Sequence, residues 1–266
     1  MIYYDKKNLI DIASNKIFEF IAKIKPNCIV HLAAHPGGLS NRFPIENVKI
    51  NALGSIYIFE WCKQNNCQLI FTSSSAVYGS TSSKSIDEKF ALNPGTIYAA
   101  NKIANENWIY ILSNIKKFPW TILRLFPCYG YGHKQNTYQG IVNVLLTQIL
   151  NSKKIIIKGS LKRERDLTYC KDVASSIIES IKSDKANGKI INIGTGISIT
   201  VEEILNSIIL VFGYEKNNYD FIEENGLLGD PLYSISNNSF AKEIINFRPR
   251  YDFMGGLEDM LKRSKI

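Results

Sequence analysis

The sequence predicts an α/β protein whose parallel sheet is covered by helices on both faces. Its 266 residues are 45% hydrophobic and 21% charged, which suffices for one sizeable core and a second, smaller lobe. Short continuous apolar runs are typical of parallel strands that are buried on both faces. These runs alternate with stretches of helical periodicity, and that alternation favours a doubly wound parallel sheet.

The amino-terminal part of the chain begins this alternation with two helix-then-strand units. Apolar residues at helical spacing over 14–24 predict an amphipathic helix that ends before Pro26. The continuous apolar run at 28–34 predicts a buried strand. The segment 45–66 has the length and the apolar residues of a long helix, and it leads into a short strand at 68–71.

The same pattern continues towards the carboxyl terminus. A helix follows the turn-forming residues 93–95 and carries Tyr98, Lys102 and Leu112. The other predicted elements are strands at 120–125, 155–157 and 189–194 and helices at 141–150 and 201–212.

A change of composition predicts a boundary between two lobes near Phe126. The segment 127–132 is rich in turn-forming residues, whereas the strand before it is apolar. We therefore expect residues 1–126 to form the first lobe, with 165–196 returning to it. The second lobe is expected to contain 127–164 and 197–266.

Charge and cysteine content exclude several classes of function. The net charge is +8, but the lysines are scattered and no basic run is interleaved with stacking aromatics, which argues against a nucleic-acid partner. A basic balance also suits a small anionic substrate. The five cysteines show no ligand spacing for zinc and no pairing for a disulfide framework, so reduced thiols and no metal are expected.

The sequence contains no segment typical of membrane proteins. The first seven residues lack the apolar core of a signal peptide, and no later apolar run is long enough to span a bilayer. We therefore expect a soluble, cytoplasmic protein without a membrane partner.

Three residues form a candidate catalytic group. Tyr98 and Lys102 are four apart in a predicted helix, so both side chains project from one face. An ammonium favours the phenolate form, so Lys102 is expected to lower the pKa of Tyr98 toward neutrality and to suit it for proton transfer. Ser74 lies just past the strand at 68–71, and reactive groups of open α/β sheets gather beyond the carboxyl ends of strands.

Five segments together carry a family resemblance: the serine-rich strand end at 71–79, the Tyr98 and Lys102 pair, and the segments 31–34, 124–126 and 165–173. Their residue types and order resemble the nucleotide-sugar epimerase and dehydratase branch of the extended short-chain dehydrogenase/reductase family, over nearly the whole chain. The resemblance implies a Rossmann-type doubly wound parallel sheet with a smaller α/β substrate lobe. It also implies NAD as cofactor, a nucleotide diphosphate sugar as substrate and a role in polysaccharide biosynthesis.

The resemblance assigns cofactor-binding roles to five residues. Asp11 lines up with an aspartate that meets the adenine ring. Ala33 and Ala34 belong to the strand end that passes beside the cofactor. Tyr98 and Lys102 face the nicotinamide and its ribose, in addition to their catalytic role.

The same resemblance assigns substrate contacts and an oligomeric state. Ser74 and Ser75 are expected to contact the sugar, and Arg165 is expected to grip the diphosphate, because a planar guanidinium matches paired phosphate oxygens. A homodimer is implied, formed by the helix at 45–66 and the helix that carries Tyr98.

Two departures from the family pattern narrow the predicted reaction. Dehydratases of this branch carry an Asp-Glu pair at the positions of Ser75 and Ala76, and a serine and an alanine cannot supply that acid and base. Oxidation and reduction of a ring carbon needs only Ser74, Tyr98 and Lys102, which favours 4-epimerisation. Pro127 and Leu227 replace substrate-binding residues found in some members, so the particular sugar stays open.

A third departure concerns the cofactor. The family binds the dinucleotide with a Gly-x-x-Gly-x-x-Gly loop after its first strand, because glycines let the backbone approach the pyrophosphate. The first glycine of this chain is Gly37. We therefore expect an N-terminally incomplete sheet with an exposed apolar edge near the strand at 28–34, and weak NAD binding by the chain as printed.

The sequence thus predicts an NAD-dependent 4-epimerase of a nucleotide diphosphate sugar that acts through a transient 4-keto sugar. Two alternatives stay open at this point. One is a reductase of a 4-keto sugar nucleotide that uses NADPH, since it needs the same three residues. The other is a non-catalytic remnant of such an enzyme, which the missing glycine loop favours.

Overall fold

The structure is a computed structural model that describes residues 11–14, 16–133, 138–152, 154–215, 219–226 and 230–263. Its helices are α1 (Lys16–Ile24), α2 (Pro44–Val48), α3 (Gly54–Asn65), α4 (Ile97–Ile115), α5 (Ile141–Asn151), α6 (Cys170–Lys182), α7 (Val201–Val211), α8 (Ser239–Ile245) and α9 (Phe253–Arg263). Its strands are β1 (Cys28–His31), β2 (Gln68–Ser74), β3 (Trp120–Leu125), β4 (Cys128–Tyr129), β5 (Lys154–Lys158), β6 (Glu164–Arg165), β7 (Thr168–Tyr169), β8 (Lys189–Ile193), β9 (Ile199–Thr200), β10 (Asp220–Glu224) and β11 (Tyr233–Ser234).

The main sheet has the strand order β1-β2-β3-β8, and every pairing in it is parallel. Because all strands run the same way, their carboxyl ends meet at one edge. The register places Ser73 of β2 opposite Arg124 of β3, and Ser74 opposite Leu125. The polar ends of β2 and β3 therefore lie side by side.

Both faces of this sheet are buried, as continuous apolar strands require. Along β2, Leu69 and Phe71 pack into one core while Ile70 packs into the core on the opposite face. Along β3, Ile122 and Leu123 divide in the same way. The alternation of side chains along a strand thus feeds two cores at once.

Helices cover the two faces separately. On one face, α1, α3 and α4 contribute Ile17, Phe59 and Ile109 to the core. On the other, α8 contributes Ala241 and Ile245, and α6 packs beside it. This arrangement confirms the predicted doubly wound sheet. Residues 239–247, which the sequence assigned to the second lobe, pack against the first sheet because α8 buries its apolar side there; the rest of the lobe division stays a prediction.

The second lobe has its own core around a two-stranded sheet. Strands β5 and β10 are parallel, and α5, α7 and α9 pack with them. A capping box stabilises the first turn of α7. Thr200 accepts a hydrogen bond from Glu203 N at 3.1 Å, and Glu203 Oε2 accepts one from Thr200 N at 2.7 Å.

Three predicted elements differ from the structure by more than the one or two residues at an end that separate most of the others. The helix at 45–66 consists of α2, a π-helical turn at 49–53, and α3. The strand at 28–34 ends at His31, and the strand at 68–71 continues to Ser74. Within the described residues β1 is an edge strand, and Leu32 beside it is 58% exposed. The expected apolar edge of an incomplete sheet stays a prediction.

None of the helices in the described ranges combines the length and the apolar character that a bilayer crossing requires.

Candidate active site

The structure brings Ser74 and Tyr98 together at the carboxyl edge of the main sheet. Ser74 is the last residue of β2, and its hydroxyl accepts a hydrogen bond from Ala76 N at 3.2 Å. The Ser74 side chain also lies close enough to Tyr98 to lower the pKa of its phenol. Ser75 begins the 3-10 turn that follows β2 and is half-buried. The structure therefore brings two of the three predicted catalytic residues close together.

The first turn of α4 carries Tyr98 on a fixed backbone. Thr96 caps the helix, accepting a hydrogen bond from Ala99 N at 3.1 Å, and Ile97 N donates to Asn41 at 3.1 Å. Gly37 lies against the Tyr98 ring, where a Cβ atom would come within 3.2 Å of Cδ1. A larger residue at position 37 would press on the phenol.

Lys102 lies one turn further along α4 and is 3% exposed. Its ammonium donates to Thr72 O at 2.7 Å and lies 5.5 Å from the centre of the Tyr98 ring and 4.6 Å from that of Phe71. Burial lowers the pKa of Lys102 to about 8, and the carboxylate of Glu106 opposes that shift. Lys102 therefore keeps its proton at neutral pH.

The expected effect of Lys102 on Tyr98 is wrong for this structure. Burial raises the pKa of Tyr98 above its ordinary value, and the nearby Ser74 side chain only partly opposes the rise. The ammonium of Lys102 points its hydrogen bond at Thr72 O, so it does not offset the loss of water around the phenol. Tyr98 is therefore a phenol, and not a phenolate, in this state of the protein.

A buried polar network lies behind these residues. Glu106 on α4 accepts hydrogen bonds from Arg124 Nε at 3.1 Å, from Arg124 Nη2 at 2.6 Å and from the Ser73 hydroxyl at 2.5 Å. Arg124 also donates to the Tyr78 hydroxyl at 2.9 Å, and Tyr78 in turn donates to Asn192 at 2.7 Å. The network joins β2, β3, β8 and α4 at one level.

The loop after β1 is fixed by asparagines. Ala33 and Ala34 are exposed, and His35 after them donates from its backbone N–H to Asn51 at 2.6 Å and accepts from Asn51 Nδ2 at 3.1 Å. Asn47 contacts the His35 ring at 3.1 Å. A residue in the π-helical turn thereby holds the loop that carries both alanines.

Arg165 lies in the second lobe as a buried side chain. It donates to Asp230 Oδ1 at 2.6 Å, while Arg163 is paired with the other oxygen of the same carboxylate. Burial and the like charge of Arg163 lower the pKa of Arg165 to about 10. Two guanidinium groups therefore share one carboxylate here.

Asp11 is exposed at the start of the described residues. Its carboxylate accepts a hydrogen bond from Ala13 N at 2.9 Å, which forms a local turn. The expected contact with adenine stays a prediction.

Sequence reasoning missed Glu106, Arg124 and the asparagines at 47 and 51 as members of the site. An arginine in the middle of the apolar strand 120–125 was the available signal, because a buried charge requires a partner. The partner is distant in sequence, so spacing did not reveal it.

Comparison with known proteins assigns the family. The model of the NAD dependent epimerase/dehydratase family matches residues 7–194, which are 188 of the 266 residues. The chain belongs to this family. The result confirms the predicted family, the predicted fold class and NAD as the cofactor of the family.

Relatives of this epimerase/dehydratase family member are similar over most of the chain. A putative UDP-glucose 4-epimerase from Methanocaldococcus jannaschii is 26% identical over 225 residues, which cover 84% of this chain and 71% of the relative. A dTDP-4-dehydro-6-deoxyglucose reductase from Escherichia coli is 26% identical over 262 residues, which cover 93% and 78% respectively.

Solved structures of the family have the same fold. A UDP-N-acetylglucosamine 4-epimerase from Methanobrevibacter ruminantium gives a TM-score of 0.85 at 27% identity, over 95% of this chain and 80% of that one. A UDP-glucose 4-epimerase from Thermus thermophilus in complex with NAD gives a TM-score of 0.87 at 22% identity, over 97% and 84%.

Proposed function

We propose that this family member is a 4-epimerase of a nucleotide diphosphate sugar and acts through a transient 4-keto sugar. One observation carries the proposal. Ser74 lies at the end of β2 close to Tyr98, with Lys102 one turn further along α4, while the positions after Ser74 hold Ser75 and Ala76 and no carboxylate. This set can move a proton to and from a hydroxyl but lacks the acid and base for elimination.

The surface around Tyr98 suits the nicotinamide end of NAD. Ala33 and Ala34 are small and exposed beyond β1, and the missing Cβ of Gly37 leaves the edge of the Tyr98 ring accessible. We assign these residues and Lys102 to the cofactor. NAD held by these residues would supply the hydride chemistry at the ring carbon of the sugar.

The residues of the chain supply the proton chemistry. Tyr98 first releases its own proton to solvent. As a phenolate it takes the proton of the 4-hydroxyl while the ring carbon is oxidised, and as a phenol it returns that proton when the carbon is reduced on its other face. The Ser74 hydroxyl holds the reacting oxygen, and Lys102, whose ammonium bonds Thr72 O in this structure, is assigned to hold the nicotinamide ribose. Because burial raises the pKa of Tyr98, its phenolate forms only transiently.

The diphosphate of the substrate is assigned to Arg165. Its side chain and that of Arg163 are both ion-paired with the one carboxylate of Asp230, and the charge of Glu223 also acts on Arg163. A diphosphate would give Arg165 a second anionic partner, and paired phosphate oxygens match the planar guanidinium. Two of the compared proteins, at 26% and 27% identity, are named as 4-epimerases of UDP-sugars, one of them as putative, which supports the same substrate class.

The second candidate is reduction of a 4-keto sugar nucleotide with NADPH. The similarity to a dTDP-4-dehydro-6-deoxyglucose reductase favours it, because that relative covers 93% of this chain. The same three residues serve both reactions, so only the fate of the cofactor separates them.

The test is turnover with a panel of sugar nucleotides. The protein is incubated with excess NAD and UDP-glucose or UDP-N-acetylglucosamine, and proton NMR follows the 4-epimer. A control incubation with a 4-keto sugar nucleotide and NADPH is followed at the absorbance of the reduced cofactor. Formation of the 4-epimer without net cofactor consumption supports the proposal, net NADPH oxidation supports the reductase, and absence of both reactions supports the non-catalytic alternative.

We further propose that the protein is a homodimer. The outer sides of α2 and α4 carry exposed apolar residues, among them Ile45 at 82%, Tyr110 at 60% and Ile115 at 69% exposure. Monomeric proteins rarely expose such neighbouring apolar groups. Light scattering of the protein and of an Ile115→Glu variant tests the proposal, since the variant is expected to be monomeric.

A further inference from the structure

A buried ion pair lies one helical turn beyond Lys102. Glu106 follows Lys102 by four residues on α4, and Arg124 lies opposite it on β3. Each of the two side chains is 4% exposed, and the guanidinium of Arg124 uses two nitrogens to reach both oxygens of Glu106. The reaction proposed above uses neither residue.

Stability alone does not explain this pair. Removing two charges from water costs free energy that their attraction often fails to recover, and apolar residues of similar volume are frequently as stable. Burial opposes the charge of Arg124, but the hydrogen bonds and the charge of Glu106 outweigh that effect and raise the pKa of the guanidinium. Because the pair is charged and fully buried, the groups that are hydrogen-bonded to it indicate its role.

The pair holds the strand that ends in the candidate catalytic serine. The Ser73 hydroxyl donates to Glu106 Oε1 at 2.5 Å, and Ser73 precedes Ser74 directly. In the parallel register Ser73 lies opposite Arg124, so one carboxylate joins two neighbouring strands at the same level. The same carboxylate belongs to the helix that carries Tyr98 and Lys102.

We propose that Glu106 is a positioning residue of the candidate active site: its carboxylate ties Ser73 and Arg124 to α4 and thereby fixes Ser74 relative to Tyr98 and Lys102. The inference rests on the proposed function, because it assigns Glu106 to the support of that reaction. Glu106 itself touches none of the reacting groups.

Glu106 also affects the charge of Lys102. The groups around the ammonium are the Phe71 ring and Thr72 O from β2, His31 from β1, and Tyr98 and Glu106 from α4. Burial lowers the pKa of His31 to about 3, so its ring is neutral. Tyr98 is a neutral phenol and Arg124 is paired, which leaves Glu106 as the negative charge that acts on Lys102 within the described residues.

The experiment compares Ser73→Ala and Glu106→Gln with the original protein, without cofactor or substrate. Ser176→Ala is the matched control, because Ser176 is another fully buried serine, and its hydroxyl donates to Val173 O at 2.7 Å inside α6. Amide exchange at Ala76 reports on Ser74, whose hydroxyl that amide contacts. Titration of ¹³C-labelled lysine by NMR reports the pKa of Lys102.

We expect Ser73→Ala to speed exchange of the Ala76 amide about tenfold, because the end of β2 is no longer tied to α4. Glu106→Gln should lower the titration midpoint of Lys102 by about one pH unit. Ser176→Ala should change neither quantity. If Glu106→Gln fails to fold, Ser73→Ala still decides the matter, since it leaves the ion pair intact.

The proposal is overturned if Ser73→Ala leaves Ala76 exchange and thermal unfolding as in the Ser176→Ala control. It is also overturned if Ser73→Ala lowers the unfolding temperature while Ala76 exchange stays unchanged, since that result means a purely structural role. Neither readout requires turnover, so absence of epimerase activity contradicts the proposed function and leaves the role of Glu106 in holding Ser74 measurable.

Discussion

Two buried arginine sites in this protein differ in how their charges are matched. Arg124 is ion-paired with the carboxylate of Glu106, engages both of its oxygens, and has a raised pKa. Arg165 shares the carboxylate of Asp230 with Arg163, and its pKa is lowered to about 10 by burial and by that second cation. The first site is balanced in charge, and the second carries a surplus positive charge.

The difference indicates different duties. A balanced pair with all donors satisfied holds neighbouring elements in place and offers nothing to a ligand. A surplus cation in a nearly buried site is costly unless an anion completes it. The site of Arg124 is thus suited to support the reacting groups, and the site of Arg165 is suited to bind a phosphate-bearing substrate.

The largest expected effect is on turnover, through Tyr98, which lies on the helix that the Arg124 site supports. Tyr98→Phe removes the phenol oxygen that exchanges a proton with the sugar, so turnover should fall by about 10²- to 10⁴-fold. The phenyl ring keeps its contacts, so thermal unfolding should stay nearly unchanged. Epimerisation followed by proton NMR measures the first quantity, and undiminished turnover would remove Tyr98 from the mechanism.

Breaking the balanced pair should cost stability. Glu106→Gln leaves Arg124 as a buried charge without a counter-charge, and the free energy of unfolding should fall by about 3–5 kcal/mol. The control is Glu179→Gln, which breaks the exposed pair with Lys182 and should change stability by about 0.5 kcal/mol or less. Urea denaturation measures both, and equal losses for the two variants would contradict the assignment.

The burial of Lys102 beside this pair predicts a pH dependence of stability. The pKa of Lys102 falls from 10.5 to about 8 on folding. Between these values the unfolded chain binds more protons than the folded chain, so the free energy of unfolding should rise as pH increases from about 8 to about 10.5. The rise is about 3 kcal/mol at most. Urea denaturation of the protein and of Lys102→Met at several pH values gives the free energy of unfolding of each as a function of pH. The difference between the two pH dependences is the contribution of Lys102, and identical pH dependences would show that Lys102 titrates normally.

Breaking the surplus-charge site should affect binding more than stability. Arg165→Gln leaves Asp230 paired with Arg163, so the unfolding temperature should hardly change. The affinity for UDP, measured by calorimetry, should fall about 10- to 100-fold because a charge-assisted contact with the diphosphate is lost. Lys185→Gln, an exposed change elsewhere, is the control, and an equal effect of both variants would mean a diffuse charge effect.

Spacing and apolar pattern predicted most elements of the first sheet. Strand 120–125 has the predicted bounds, because its apolar run is continuous and turn residues follow it. The helix at 45–66 contains a π-helical turn at 49–53, which the local sequence pattern does not predict. Asn51 in that turn accepts a hydrogen bond from the backbone of His35, in a loop that lies earlier in the chain. The end of β2 was placed too early because its last residues are polar.

The candidate site divides in the same way. Tyr98 and Lys102 are four residues apart on one helix, so local geometry alone predicted that they lie together. The spacing could not predict how deeply the two side chains are buried. Burial raises the pKa of Tyr98, and the ammonium of Lys102 donates a hydrogen bond to Thr72 O. The prediction that Lys102 would lower the pKa of Tyr98 failed for that reason.

The sequence by itself determined the alternation of strands and helices, because each element depends on residues close together in the chain, and it determined the family through the order of short motifs along the chain. It also supplied the hypothesis that Ser74, Tyr98 and Lys102 react together. Only the tertiary structure decided that Glu106 meets Arg124 and Ser73, and that Arg163 and Arg165 share Asp230. These contacts join residues from separate elements, and burial sets their strength. Ion pairing between distant residues and the loss of water around them arise only when the chain is packed, so the local sequence pattern cannot predict them.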